Sequence, residues 1–145
     1  MQFLWISLIS LFLSTPSWET NFAKAKQTAS SEHKMILINF SGSDWCGPCI
    51  RLHKDIFEND SFARFASSEL VLVNADFPRL KKHQLSSEQQ ANNDQLAEIY
   101  NKQGIFPLTL LLTPDGKVIK SWEGYPGISP EVFISQVKAM TDANH

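Results

Sequence analysis

Apolar residues fall along this chain in two patterns, unbroken blocks and helical spacings. Met35 to Phe40 and Leu70 to Ala75 are apolar apart from one Asn each, as in strands buried on both faces. Leu108 to Leu112 and Lys117 to Trp122 form an antiparallel pair joined by Pro114-Asp115-Gly116. Helical spacing of Trp18, Phe22, Ala25 and Ala29 predicts a helix over 18–30. Another helix starts near Cys46, with Ile50, Ile56 and Phe57 inward and Arg51, Lys54 and Asp55 in solvent. Asp60 is the expected N-cap of a short helix holding Phe62 and Phe65. Leu96, Ile99 and Tyr100 mark a helix closed by Gly104. Ser129-Pro130-Glu131 reads as N-cap, N1 proline and first-turn acid, opening a last helix with Val132, Phe133 and Val137 inward.

The order α-β-α-(α)-β-α-β-β-α places helices between the early strands, which makes those strands parallel. The final hairpin adds an antiparallel edge, so the expected fold is α/β around a mixed sheet. The polar stretch 78–94 is longer than usual connections. It reads either as a partly helical insertion offering a contact surface or as a solvated loop.

At 145 residues and 43% hydrophobic, the chain can bury a single core without disulfide staples. A formal charge of −2 points to neither nucleic acid nor an acidic membrane surface as partner. Met1 to Ser17 carries no charge, and Phe3 to Leu13 is almost wholly apolar. That length suits a signal-peptide core and is short for a membrane span. Thr15 and Ser17 place small residues for cleavage before Trp18, and Ala23-Lys24-Ala25 offers a second cleavage point. The expected division is a signal peptide over 1–17, or up to 25, and one domain over 18–145. The expected address is the bacterial periplasm, with an uncleaved membrane anchor as the alternative.

The candidate chemistry lies in Trp45-Cys46-Gly47-Pro48-Cys49, which holds both cysteines of the chain. If Cys46 opens a helix, free backbone N–H groups and the helix dipole favour its thiolate. Cys49 follows nearly one turn later on the same face, close enough to form a small disulfide ring. Pro48 suits the first helical turn, where its missing N–H costs nothing. Gly47 leaves the surface around the sulfur open. A closed structural zinc site needs four ligands, and no second cysteine pair exists. Of the four histidines only His53 lies near the motif, four residues after Cys49. The expectation is thiol–disulfide exchange with no metal and no cofactor beyond the cysteine pair.

WCGPC between an apolar strand and a helix resembles the active site of the thioredoxin family. Gly104-Ile105-Phe106-Pro107 before an apolar strand resembles the family's cis-proline segment, and Thr113 to Lys117 its hairpin turn. The similarity runs from Trp18 to Met140 and is nearest to exported bacterial members. It implies a thioredoxin fold, with a central mixed sheet flanked by helices on both faces. It also implies Cys46 as nucleophile and Cys49 as resolving thiol, with Trp45, Gly47 and Pro48 supporting them. Phe106 and a cis Pro107 would then lie against the sulfurs and receive the substrate's extended backbone.

The resemblance departs at Asn39, where the family has a buried aspartate that helps move the second cysteine's proton. Asp44, Asp55 or solvent remain as substitutes. Ile50 replaces the basic residue that commonly follows the motif. The implied function is reduction of disulfides in exported proteins by a monomer. An upstream thiol donor, a membrane reductase among the candidates, would regenerate it. Oxidation or isomerisation of secreted proteins is the alternative, and a non-catalytic thiol, metal-binding or docking module is the third reading.

Overall fold

Strand β2, Met35–Ser41, is buried at every position and forms the middle of the sheet. In a computed structural model describing residues 16–144, it is flanked by β3 (Leu70–Asp76) and β4 (Leu108–Leu112). β1 (Trp18–Glu19) and β5 (Val118–Glu123) complete the order β1-β3-β2-β4-β5. β1 and β2 pair parallel with β3, and the β4–β5 hairpin runs antiparallel, giving the expected mixed sheet. At the hairpin turn Gly116 has φ +96°, and a Cβ there would lie 2.8 Å from the Tyr100 hydroxyl.

Because side chains alternate across β2, the strand feeds two cores. Met35 and Leu37 join Leu52, Ile56, Phe62 and Phe133 on one face. Ile36, Ile38 and Phe40 join Ala25, Ala29 and Leu96 on the other. The first face is covered by α2 (Gly47–Leu52), α3 (Asp60–Glu69) and α5 (Pro130–Ala143). The second is covered by α1 (Phe22–Glu32) and α4 (Ser87–Tyr100). α2 continues as one wider π turn, His53–Phe57.

Several boundaries differ from expectation. Trp18 lies in β1 rather than in the first helix, because Asn21 caps α1 by accepting the Lys24 N–H at 3.0 Å. Asn59, not Asp60, caps α3. α4 begins at Ser87, inside the polar stretch, and Asn101 ends it three residues before Gly104. The insertion therefore shrinks to a short segment around the single 3-10 turn Lys81–His83. Ile50 and Val132, expected inward, are 48% and 45% exposed, and Ile99 is 64% exposed. The proposed leader falls mostly outside the described residues. Among those described, no helix is long and apolar enough to cross a membrane.

Candidate active site

The end of β2 turns through Gly42 to Asp44 into α2, and Cys46 is the N-cap of that helix. Its backbone is extended, and its Sγ accepts the Cys49 N–H at 3.3 Å. Cys46 and Cys49 form a disulfide across a Cα–Cα distance of 5.2 Å. Cys46 is 5% exposed and Cys49 1%, so each sulfur is largely sheltered. When the bond is reduced, the same N–H and the helix end stabilise negative charge on Cys46. Pro48 occupies the first helical turn as expected. A Cβ placed on Gly47 would meet no atom within 4 Å, so the surface there is open.

Trp45 stands beside this cap. Its indole N–H donates to the Phe77 carbonyl at 2.7 Å, and the Phe106 ring meets it edge-on with centroids 5.5 Å apart. Phe106 also packs against Phe77 at 5.5 Å. Phe106–Pro107 is a cis peptide bond, as the family resemblance implied. The residues before it are fastened by Asn101, whose side chain accepts the Ile105 N–H and donates to the Ile105 carbonyl, both at 2.8 Å. The structure thus brings Phe106 against Trp45, the residue before Cys46, although the two lie far apart in sequence.

A feature that sequence reasoning missed is the clasp made by Asp44. Its carboxylate accepts the backbone N–H groups of Arg79 and Leu80, each at 2.9 Å, and lies 3.1 Å from His83 Nδ1. The Arg79 N–H above all, then the Leu80 N–H and His83, holds the Asp44 carboxyl below the usual carboxylate range, against the opposing effect of desolvation. Arg79 returns across the site and stacks its guanidinium 3.7 Å from the centre of the Trp45 ring. Asp76 holds the same junction from the other side, accepting the Ser43 N–H and hydroxyl at 2.9 and 2.5 Å. In the sequence Asp44, just before Trp45-Cys46, stood out only as a substitute proton acceptor, with nothing to reveal its contacts 35 residues away.

Asn39 is buried in β2 with Thr109, whose hydroxyl donates to its Oδ1 at 3.3 Å. Asp55, the other candidate proton acceptor, accepts the Tyr125 hydroxyl at 2.8 Å, and that hydrogen bond raises the Tyr125 pKa. A cavity of about 480 Å³ opens next to Cys49, with His53 on its wall.

The family model described as thioredoxin-like domain matches residues 22–141. Disulfide bond reductase DsbH of Chlamydia pneumoniae is 34% identical over 122 residues, covering 84% of this chain and 70% of the relative. Thioredoxin-related protein DsbJ of the same organism is 30% identical over 60 residues, 41% of this chain and 17% of that one. Among solved structures, a DsbH oxidoreductase superposes with a TM-score of 0.80 at 27% identity, covering 97% of this chain and 95% of the other. A thioredoxin from Thermus thermophilus shares the fold with a TM-score of 0.64 at 14% identity, covering 87% of each chain.

Proposed function

The chain belongs to the thioredoxin-like family as a thiol–disulfide oxidoreductase, and from that premise we propose that it reduces disulfides of exported proteins. The observation that carries the proposal is the Cys46–Cys49 disulfide at the start of α2, with the Cys49 N–H on the Cys46 sulfur. Its 34% identity to a protein named a disulfide reductase supports the direction, as does the Gly47-Pro48 pair between the cysteines.

In the reduced protein the Cys46 thiolate attacks one sulfur of a substrate disulfide. A Cys46–substrate bond forms, and the other substrate sulfur leaves as thiolate. Cys49 then loses its proton and attacks Cys46 Sγ. The mixed disulfide breaks, the second substrate sulfur leaves, and the substrate has gained two electrons from the cysteine pair. The Phe106-Pro107 segment takes the substrate's extended backbone beside Trp45. An upstream thiol donor returns the two electrons. The N-terminal segment directs the chain to export, with processing before Trp18.

Cys49→Ser tests the reading. The variant is expected to accumulate covalent adducts on Cys46 that a reductant releases, and an exported extract yielding none would refute exchange. Direction is read from the reduction potential of the pair. A value near roughly −270 mV supports a reductase, and one near roughly −120 mV reverses the direction while leaving both cysteines in their roles.

A further inference from the structure

Resolution of the mixed disulfide requires the Cys49 thiol to lose a proton although the residue is only 1% exposed. Asp44, Asp55 and Asp76 are not placed to take it. Asn39 does not ionise, and its Oδ1 already accepts the Thr109 hydroxyl. Asp44 is engaged by Arg79, Leu80 and His83, Asp55 by Tyr125, and Asp76 by Ser43 and the Phe77 N–H. None of these three carboxylates lines the cavity that reaches Cys49.

That cavity, about 480 Å³, is walled at its inner end by Cys49, Ser41 and Asn74 and at its outer end by His53, Lys54 and Glu58. It is large enough to hold water in contact with the thiol, and Ser41, Ser43 and Asn74 on its wall give that water polar partners. His53 follows Cys49 by four residues, and its backbone N–H donates to the Cys49 carbonyl, so the two side chains are neighbours on one helical face. The imidazole is half-exposed, with Nε2 3.5 Å from a Glu58 carboxylate oxygen. In the tautomer that carries its proton on Nε2, facing Glu58, the lone pair is on Nδ1. The other ionisable groups on the cavity wall are Lys54 and Glu58. The Trp18 and Phe57 rings, at 6.4 and 6.3 Å, pack around the imidazole without titrating.

Building on the exchange reaction above, we infer that His53 is the proton acceptor for Cys49 in the resolving step, acting through solvent in this cavity. The Cys49 S–H proton passes to His53 Nδ1 as the Cys49 sulfur bonds to Cys46 and the substrate sulfur departs with the electron pair of the broken bond. Glu58 balances the imidazolium that forms. The proton then leaves to solvent or to the departing thiolate. Histidine suits this task because it is the side chain that exchanges protons near neutral pH.

The test is rapid-mixing release of thionitrobenzoate from reduced protein and an aromatic disulfide reagent. The first equivalent reports attack by Cys46 and the second reports resolution by Cys49. His53→Gln is expected to leave the first phase unchanged and to slow the second by about 100-fold or more at neutral pH. The second phase should then regain speed only at higher pH, where the thiol ionises unaided. In His53→Ala, added imidazole should restore the second phase, a result that a packing role for the ring does not produce. Adding Asn39→Asp to His53→Gln should restore it too. A second phase in His53→Gln with the parent rate and pH profile overturns the inference while leaving the exchange reaction intact. Failure of imidazole to restore His53→Ala overturns it as well. Loss of the first phase in the parent protein refutes the exchange reaction, and this inference with it.

Discussion

Replacing Gly42 by alanine should displace Trp45 and weaken the whole rim of the site. An ideal Cβ on Gly42 would lie 2.2 Å from Trp45 Cε2, 2.5 Å from Cζ2 and 2.6 Å from Nε1. Unstrained carbon contacts begin near roughly 3.5 Å, so the indole has to retreat by about 1 Å or more. Three interactions depend on its position. The hydrogen bond to the Phe77 carbonyl contributes about 0.5–1.5 kcal/mol, the edge contact with Phe106 a similar amount, and the Arg79 stack about 0.5–1 kcal/mol. Their loss together costs about 1.5–4 kcal/mol. For a domain of this size that corresponds to a fall in Tm of roughly 5–20 °C. Thermal unfolding of the oxidised protein, followed by circular dichroism, measures it, with turnover of a model disulfide as second readout. Gly47→Ala is the control, since its new Cβ meets nothing within 4 Å, and its Tm should stay near the parent's. A Gly42→Ala protein with the Tm and turnover of the parent would refute the reasoning.

Other outcomes follow from single features. Phe133 is fully buried against Phe57, Phe62 and Trp122, so Phe133→Ala should cost about 3–5 kcal/mol in urea unfolding. The depressed Asp44 carboxyl makes its contribution to the clasp fully present above the ordinary carboxylate range and lost as pH falls through its lower folded value. The Arg79 and Leu80 amide resonances should hold their positions down to about pH 4 and move only below it, whereas in Asp44→Ala trypsin should cut after Arg79 at neutral pH. A chain beginning at Trp18 should fold normally. One beginning at Lys26 loses β1, the Asn21 cap and the Trp18–Phe57 contact, and should melt at least roughly 5 °C lower.

What the sequence made legible was whatever chemistry or apolar run announced itself locally. The cysteine pair, the buried strands, the Thr113–Lys117 turn and the Ser129 cap all lie where residue type alone puts them. Helical spacing was less informative at its margins. It ran on through Trp18, which pairs with Leu72 as a strand, because a spacing rule does not register the capping side chain of Asn21. It identified Ile50 and Val132 as inward, since periodicity defines a stripe without saying how much of its width a neighbour covers. The start of α4 was hidden for the opposite reason. Its anchor there is polar, with Asn93 buried, accepting from Gln89 and donating to the Asp76 carbonyl. At the site, His53 was noticed by its spacing from Cys49, but the cavity joining them forms only when β2, β3 and α2 come together.

The Asp44 clasp bears on how proteins of this kind diverge. Two of its three bonds go to main-chain N–H groups, which any residue except proline supplies at positions 79 and 80. No residue from 78 to 84 belongs to either apolar core, and Leu80 stays 47% exposed. Mutations along this segment, Arg79 and His83 apart, therefore alter the surface beside Trp45 at little cost in stability, while Asp44 keeps the segment in register. A lineage can reshape that surface one small step at a time, without disturbing the cysteine pair or the sheet beneath it.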